Sequence, residues 1–156
     1  MKQIRIVTKV ESTAIRNLDG MTRISETEVR LPSDITWEPL SIKPHAQLSI
    51  IDKQEDKNTV WDAKLIFKTC EDFSKRKRWA YRCLLSNGQY RLIGSNDRPY
   101  PVTSVSENMP ENVTENQLSE VTVSWKSPRF IPVISEYQVF FYSLSIVYLC
   151  SRILQK

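Results

Sequence analysis

Apolar and polar residues alternate along most of this chain with a period of two, the spacing that sends successive side chains to opposite faces of a strand. Across residues 2–10, Ile4, Ile6 and Val10 fall on one face and Arg5 and Lys9 on the other, which predicts a half-buried first strand. Asp19-Gly20 then separates Ile15–Leu18 from Met21–Ile24. That dipeptide tolerates positive φ and predicts a type I′ hairpin turn. Pro32, Pro39 and Pro44 each remove a backbone donor and fix φ, so residues 31–46 are expected to form a structured loop or edge segment. Gln47–Asp52 and Thr59–Thr69 read as two strands joined by the polar run 53–58. In the second of these, Trp61, Ala63, Leu65 and Phe67 share a face, whereas a helix would scatter them around its circumference.

The sharpest local signal is Asn87-Gly88 between alternating runs, a strong hairpin signature. A two-residue loop there pairs Leu85 with Tyr90, Cys83 with Leu92 and Tyr81 with Gly94. That register gathers Trp79, Tyr81, Cys83, Leu85, Tyr90 and Leu92 on the inward face and leaves Arg82 and Arg91 on the other with Leu84 and Ile93. Beyond it come a short strand at Val102–Val105, a polar acidic loop over 106–118, and two last strands near 120–126 and 130–134. The pattern predicts an all-β, mainly antiparallel fold, a β-sandwich or small barrel of about eight strands. One domain over residues 1–135 is expected, followed by an apolar tail over 136–156.

Composition narrows the chemistry. The three glycines, Gly20, Gly88 and Gly94, are too scattered to form a phosphate-cradling loop. Cys70, Cys83 and Cys150 are widely spaced, lack a C-x-x-C pair and have only His45 as a co-ligand, so neither a zinc site nor a disulfide framework is expected. Asp52, Glu55, Asp56 and Asp62 lack the ligand spacing and turn glycine of a calcium loop. The reading is of a non-enzymatic protein without a cofactor. The alternating N-terminus has no continuous apolar stretch of the secretory kind, which points to cytoplasmic localisation on synthesis.

Charge is unevenly spread. Residues 1–60 carry nine basic and nine acidic side chains, residues 61–100 nine and four, and residues 101–135 two and four. The focus is Lys75, Arg76, Lys77 and Arg78, followed by Arg82 and Arg91. Basic residues interleaved with Trp and Tyr are what a β-surface for single-stranded nucleic acid uses; a solvated basic loop, or one facing an acidic protein, produces the same run. The tail differs from everything before it, since no charge occurs from Tyr137 to Ser151. Val139, Phe140, Phe141, Ile146, Val147 and Leu149 are its candidate partner or membrane contacts. As a helix, those fifteen residues would span about 22 Å, short of a bilayer core. A tail anchor, a segment docking on a partner subunit and a segment foreign to the domain all stay open.

From Trp79 to Ser135 the sequence runs WAYRCLLSNGQYRLIGSNDRPYP, then an acidic loop, then VTVSWKS. This cadence resembles the small β-rich structural proteins encoded beside tail or head–tail genes in phages and prophages of gut Bacteroidales bacteria. The resemblance implies a virion subunit that assembles with protein partners, as a homo- or hetero-oligomer, through strand edges and loops.

Overall fold

Alternating side chains can bury one face of a strand only if a second layer covers it, and here the layers come from one winding sheet. The structure, a computed structural model, describes residues 6–71, 78–107 and 118–135. Its strands are β1 (Val7–Ala14), β2 (Thr22–Arg23), β3 (Glu28–Arg30), β4 (Glu38–Pro39), β5 (Lys43–Glu55), β6 (Asn58–Thr69), β7 (Trp79–Leu85), β8 (Tyr90–Ile93), β9 (Val102–Glu107), β10 (Ser119–Ser127) and β11 (Val133–Ile134). They lie in the order β2-β3-β11-β8-β7-β1-β5-β6-β10-β9, with β4 beside β1. All pairs are antiparallel except β11 with β3. The fold is therefore all-β and mainly antiparallel. Among the described residues, seven strands have four residues or more; the other four are bridges of two or three residues, too short for alternation to reveal.

The two halves of the path meet at β1. That strand pairs with β7 from Val7 to Ala14 but has only one register pair with β5, Val7 opposite Ala46. Tyr81, Cys83 and Ile93 on one side of this seam, and Ala63, Leu65, Phe67, Val121 and Val123 on the other, belong to one buried cluster. Two polar ties cross it. The Tyr81 hydroxyl lies 2.9 Å from Thr103 Oγ1, and Trp125 Nε1 donates to the Pro99 carbonyl at 2.8 Å. Each meets the need of a buried polar atom for a partner.

Several elements differ from the sequence expectation, each for a local reason. Ile4 and Arg5 of the expected first strand lie outside the described residues; within them β1 runs from Val7, and an irregularity between Val7 and Lys9 shifts its register, so Val7 and Val10 both face the core while Ile6 is 46% exposed. Asp19-Gly20 does not turn a hairpin. Ile15–Leu18 coils into a 3-10 turn, whose three-residue period brings Ile15 and Leu18 to the same buried side, and β2 pairs instead with β3. The polar run 53–58 contributes most of its residues to β5 and β6, leaving Asp56-Lys57 as a two-residue turn with φ of 48° and 68°. Ala63, Leu65 and Phe67 are buried on one face as expected.

The Asn87-Gly88 hairpin forms, but with its register displaced by one residue. Gly88 N–H donates to Leu85 O and Leu85 N–H to Gln89 O, both at 2.9 Å, and Gly88 has φ of 81°, so a turn plus glycine bulge replaces the two-residue loop. Leu84 now faces Tyr90, Cys83 faces Arg91 and Tyr81 faces Ile93. A one-residue slip exchanges faces. Tyr90 and Leu92 join Arg82, while Arg91 joins Tyr81 and Cys83. The sheet tolerates this because both sides of β7 are covered: Ala80 packs with Ile15 and Leu18, and Leu31, Ile35, Trp37 and Tyr100 close over them.

Two glycines of this region separate backbone strain from steric strain. A Cβ on Gly88 would meet nothing within 4 Å, whereas on Gly94, with φ of 128°, it would lie 2.9 Å from Ala80 Cβ and 3.2 Å from Pro101 Cγ. Gly88→Ala should lower stability by about 1 kcal/mol and Gly94→Ala by about 2–4 kcal/mol. Urea denaturation of both variants checks this, and equal losses would contradict the packing of β8 against β7.

Candidate functional site

Among the described residues, Arg78 is exposed whereas Arg82 and Arg91 make their contacts within the fold, so these three do not share one surface. Lys75, Arg76 and Lys77 lie outside the described residues, as do the tail residues Val139, Phe140, Phe141, Ile146, Val147 and Leu149 and the centre of the acidic loop. Arg78 is exposed, with its guanidinium carbon 6.0 Å from the Tyr100 ring centre. Arg82 is committed inside the fold. Its Nε donates to Glu11 Oε2 at 2.6 Å, and its guanidinium lies against the rings of Trp37 and Tyr90, at 4.6 Å and 4.7 Å. Arg91 is buried, donates to the Ile131 carbonyl at 2.8 Å and packs 5.1 Å from the Phe130 ring centre. Trp37 and Tyr90 therefore cover an arginine, where a nucleic-acid platform would need both rings free.

Arg82 also answers for a buried acid. Glu11 is 4% exposed; burial alone would raise its pKa, but hydrogen bonds from Arg82 and Lys9, with their positive charges, outweigh burial and hold the carboxyl below its ordinary value. Cys83 is the opposite case, since burial pushes its thiol far up and leaves it without thiolate character. Among the described residues no three His, Cys, Asp or Glu side chains gather as a metal cluster, and no helix is long and apolar enough to cross a membrane.

A groove of about 620 Å³ opens between residues 24–27, which join β2 to β3, and Pro128–Phe130, which follow β10. The Trp61 and Phe130 rings line it, edge to face with centres 4.8 Å apart. Arg23 reaches across, donating from Nη1 to the Glu26 carbonyl and from Nη2 to the Phe130 carbonyl at 3.3 Å. Burial first, and then the charge of Arg129, lower the Arg23 pKa. A second hollow of about 270 Å³ shares Arg23 and Arg129 and adds Asp97 and Arg98. Sequence reading missed this groove because its residues come from three distant segments. Arg129-Phe130 directly after Ser127-Pro128, a strand-ending signal, was the local hint.

The third feature is the end of the strand path. β9 pairs with β10 on one side and, among the described residues, with no strand on the other. Thr103 and Val105 turn inward, while Val102, Ser104 and Ser106 face solvent, Val102 being 67% exposed. The opposite end of the path, β2, has two residues. No family model, curated protein or solved structure matches the chain.

The Glu11–Arg82 pair sets a pH dependence of defined sign. A carboxyl whose pKa is lowered by folding contributes stability above its unfolded pKa and loses it as pH falls through the folded value. Arg82→Gln should lower stability at pH 7 by on the order of 3 kcal/mol, and the gap from wild type should narrow as pH is lowered to 3, toward the range in which Glu11 takes up its proton. Urea denaturation at the two pH values checks this; a gap independent of pH would contradict the pairing.

Proposed function

We propose that the chain is a non-enzymatic structural subunit that assembles with protein partners through exposed strand edges and loops, as a phage virion component of the tail or head–tail kind. The observation that carries the assembly reading is β9. An edge strand presents unpaired N–H and C=O groups, which natural proteins usually blunt with short strands, lysines, prolines or bulges. β9 has six residues, no lysine or proline, and an exposed valine at its start. Such an edge is suited to strand addition, in which main-chain hydrogen bonds supply affinity and alternate side chains supply selectivity. The virion assignment adds the resemblance of the Trp79–Ser135 region. The alternative, single-stranded nucleic acid on a basic β-surface, is weakened because Arg82 and Arg91 make their contacts within the fold.

Lysines at outward positions of β9 should block pairing without disturbing the core. The double variant Val102→Lys, Ser104→Lys is expected to keep its unfolding free energy within about 0.5 kcal/mol and to lose the self-association of the wild-type chain in size-exclusion chromatography with light scattering. Association that survives in a folded double variant, or a wild-type chain that stays monomeric, would overturn the assembly reading.

A further inference from the structure

We propose that the groove between residues 24–27 and Pro128–Phe130 binds a small organic oxyanion with a flat apolar body, the anionic group held by Arg23 and Arg129 and the body laid against Trp61 and Phe130. Three observations lead there. The cations of this groove lack the neutralisation found elsewhere in the fold: Arg82 has Glu11, Lys53 has Asp62 and Lys126 has Glu55. Arg23 bonds only backbone carbonyls in the hydrogen bonds assigned to it, so part of its five-donor fork stays free. Among the described residues, the Arg129 side chain makes no hydrogen bond or ion pair. Two arginines near enough to feel each other's charge are relieved by an anion placed between them.

The second observation is shape. About 620 Å³ lies within the range of small-ligand sites, and Ile24, 45% exposed, adds an apolar lip. The third is a prepared wall. Phe130 is packed by Arg91 and held edge to face by Trp61, so little side-chain freedom is lost when a flat group settles there. Glu26 lines the same groove and Asp97 the adjoining hollow, an arrangement that suits one compact anion better than a polyanion threading past both.

Carboxylate and phosphate share this chemistry, and titration calorimetry on the full chain distinguishes them. 3-Phenylpropionate and phenyl phosphate are the two probes, with 3-phenylpropanamide as the uncharged control. At least one anion should bind saturably, the amide at least tenfold more weakly, and the anion with the higher affinity identifies the ligand class. Arg129→Gln, with an unchanged thermal midpoint, should weaken that anion about tenfold, while Arg98→Gln should leave it unaffected. The β9 double-lysine variant should bind it like wild type, which keeps this site distinct from assembly. Absence of saturable binding by both anions, equal binding of the amide, or an Arg129→Gln variant of unaltered affinity would overturn the proposal.

Discussion

Burial of β7 on both of its faces is the constraint from which the rest of the structure follows. Its inner side chains, Tyr81 and Cys83, close the common core with β6 and β10, and its outer Ala80 is closed over by the 3-10 turn and the residues around Trp37. A strand so covered leaves little room for a solvated charge, yet it carries Arg82, whose side chain stays only 24% exposed. The solution is local: Glu11 accepts from the guanidinium at 2.6 Å and two aromatic rings sandwich it. A partly buried ion pair of this kind is sensitive to loss of either partner, because the survivor keeps its desolvation cost. The same constraint favours glycine at position 94, since a Cβ there would press into Ala80.

The candidate sites lie where that constraint relaxes. The groove sits beside Pro128, where β10 has ended and β11 has not begun, so arginine and aromatic side chains from separate segments meet without being sealed into the core. β9 lies at the far end of the path, held to the fold by β10, by Val105 against the core and by the Tyr81–Thr103 contact, with no strand among the described residues on its other edge. Arg91 links the groove to the core: buried on the face of Cys83, it packs against Phe130 and bonds the neighbouring Ile131 carbonyl.

The class of the fold was legible in the sequence because its longest strands alternate: the period-two face of Ala63, Leu65 and Phe67, and that of Val121 and Val123, survive intact in β6 and β10. The hairpin at Asn87-Gly88 was legible in place but not in register, since Asn-Gly serves both a two-residue turn and a turn with a glycine bulge. With both faces of β7 and β8 partly apolar, the pattern had no polar side to choose between them. Ile15–Leu18 misled for a related reason: four residues are too few to separate a strand from a 3-10 turn, and Asp-Gly ends either. Of the basic residues singled out, Arg91 lies on the core face and Arg82 is held by Glu11 on the opposite one, which charge counting does not reveal. The groove stayed invisible because Arg23, Trp61 and Arg129 meet only through the β3–β11 and β6–β10 pairings.

On the proposed reading, β9 is the edge through which the chain assembles. Amide hydrogen exchange, followed residue by residue at low and high protein concentration, tests it most directly. Protection at Val102–Glu107 is expected to rise with concentration while the amides of β7 stay equally slow throughout. Exchange in β9 that is independent of concentration, with new protection appearing on another strand, would contradict it.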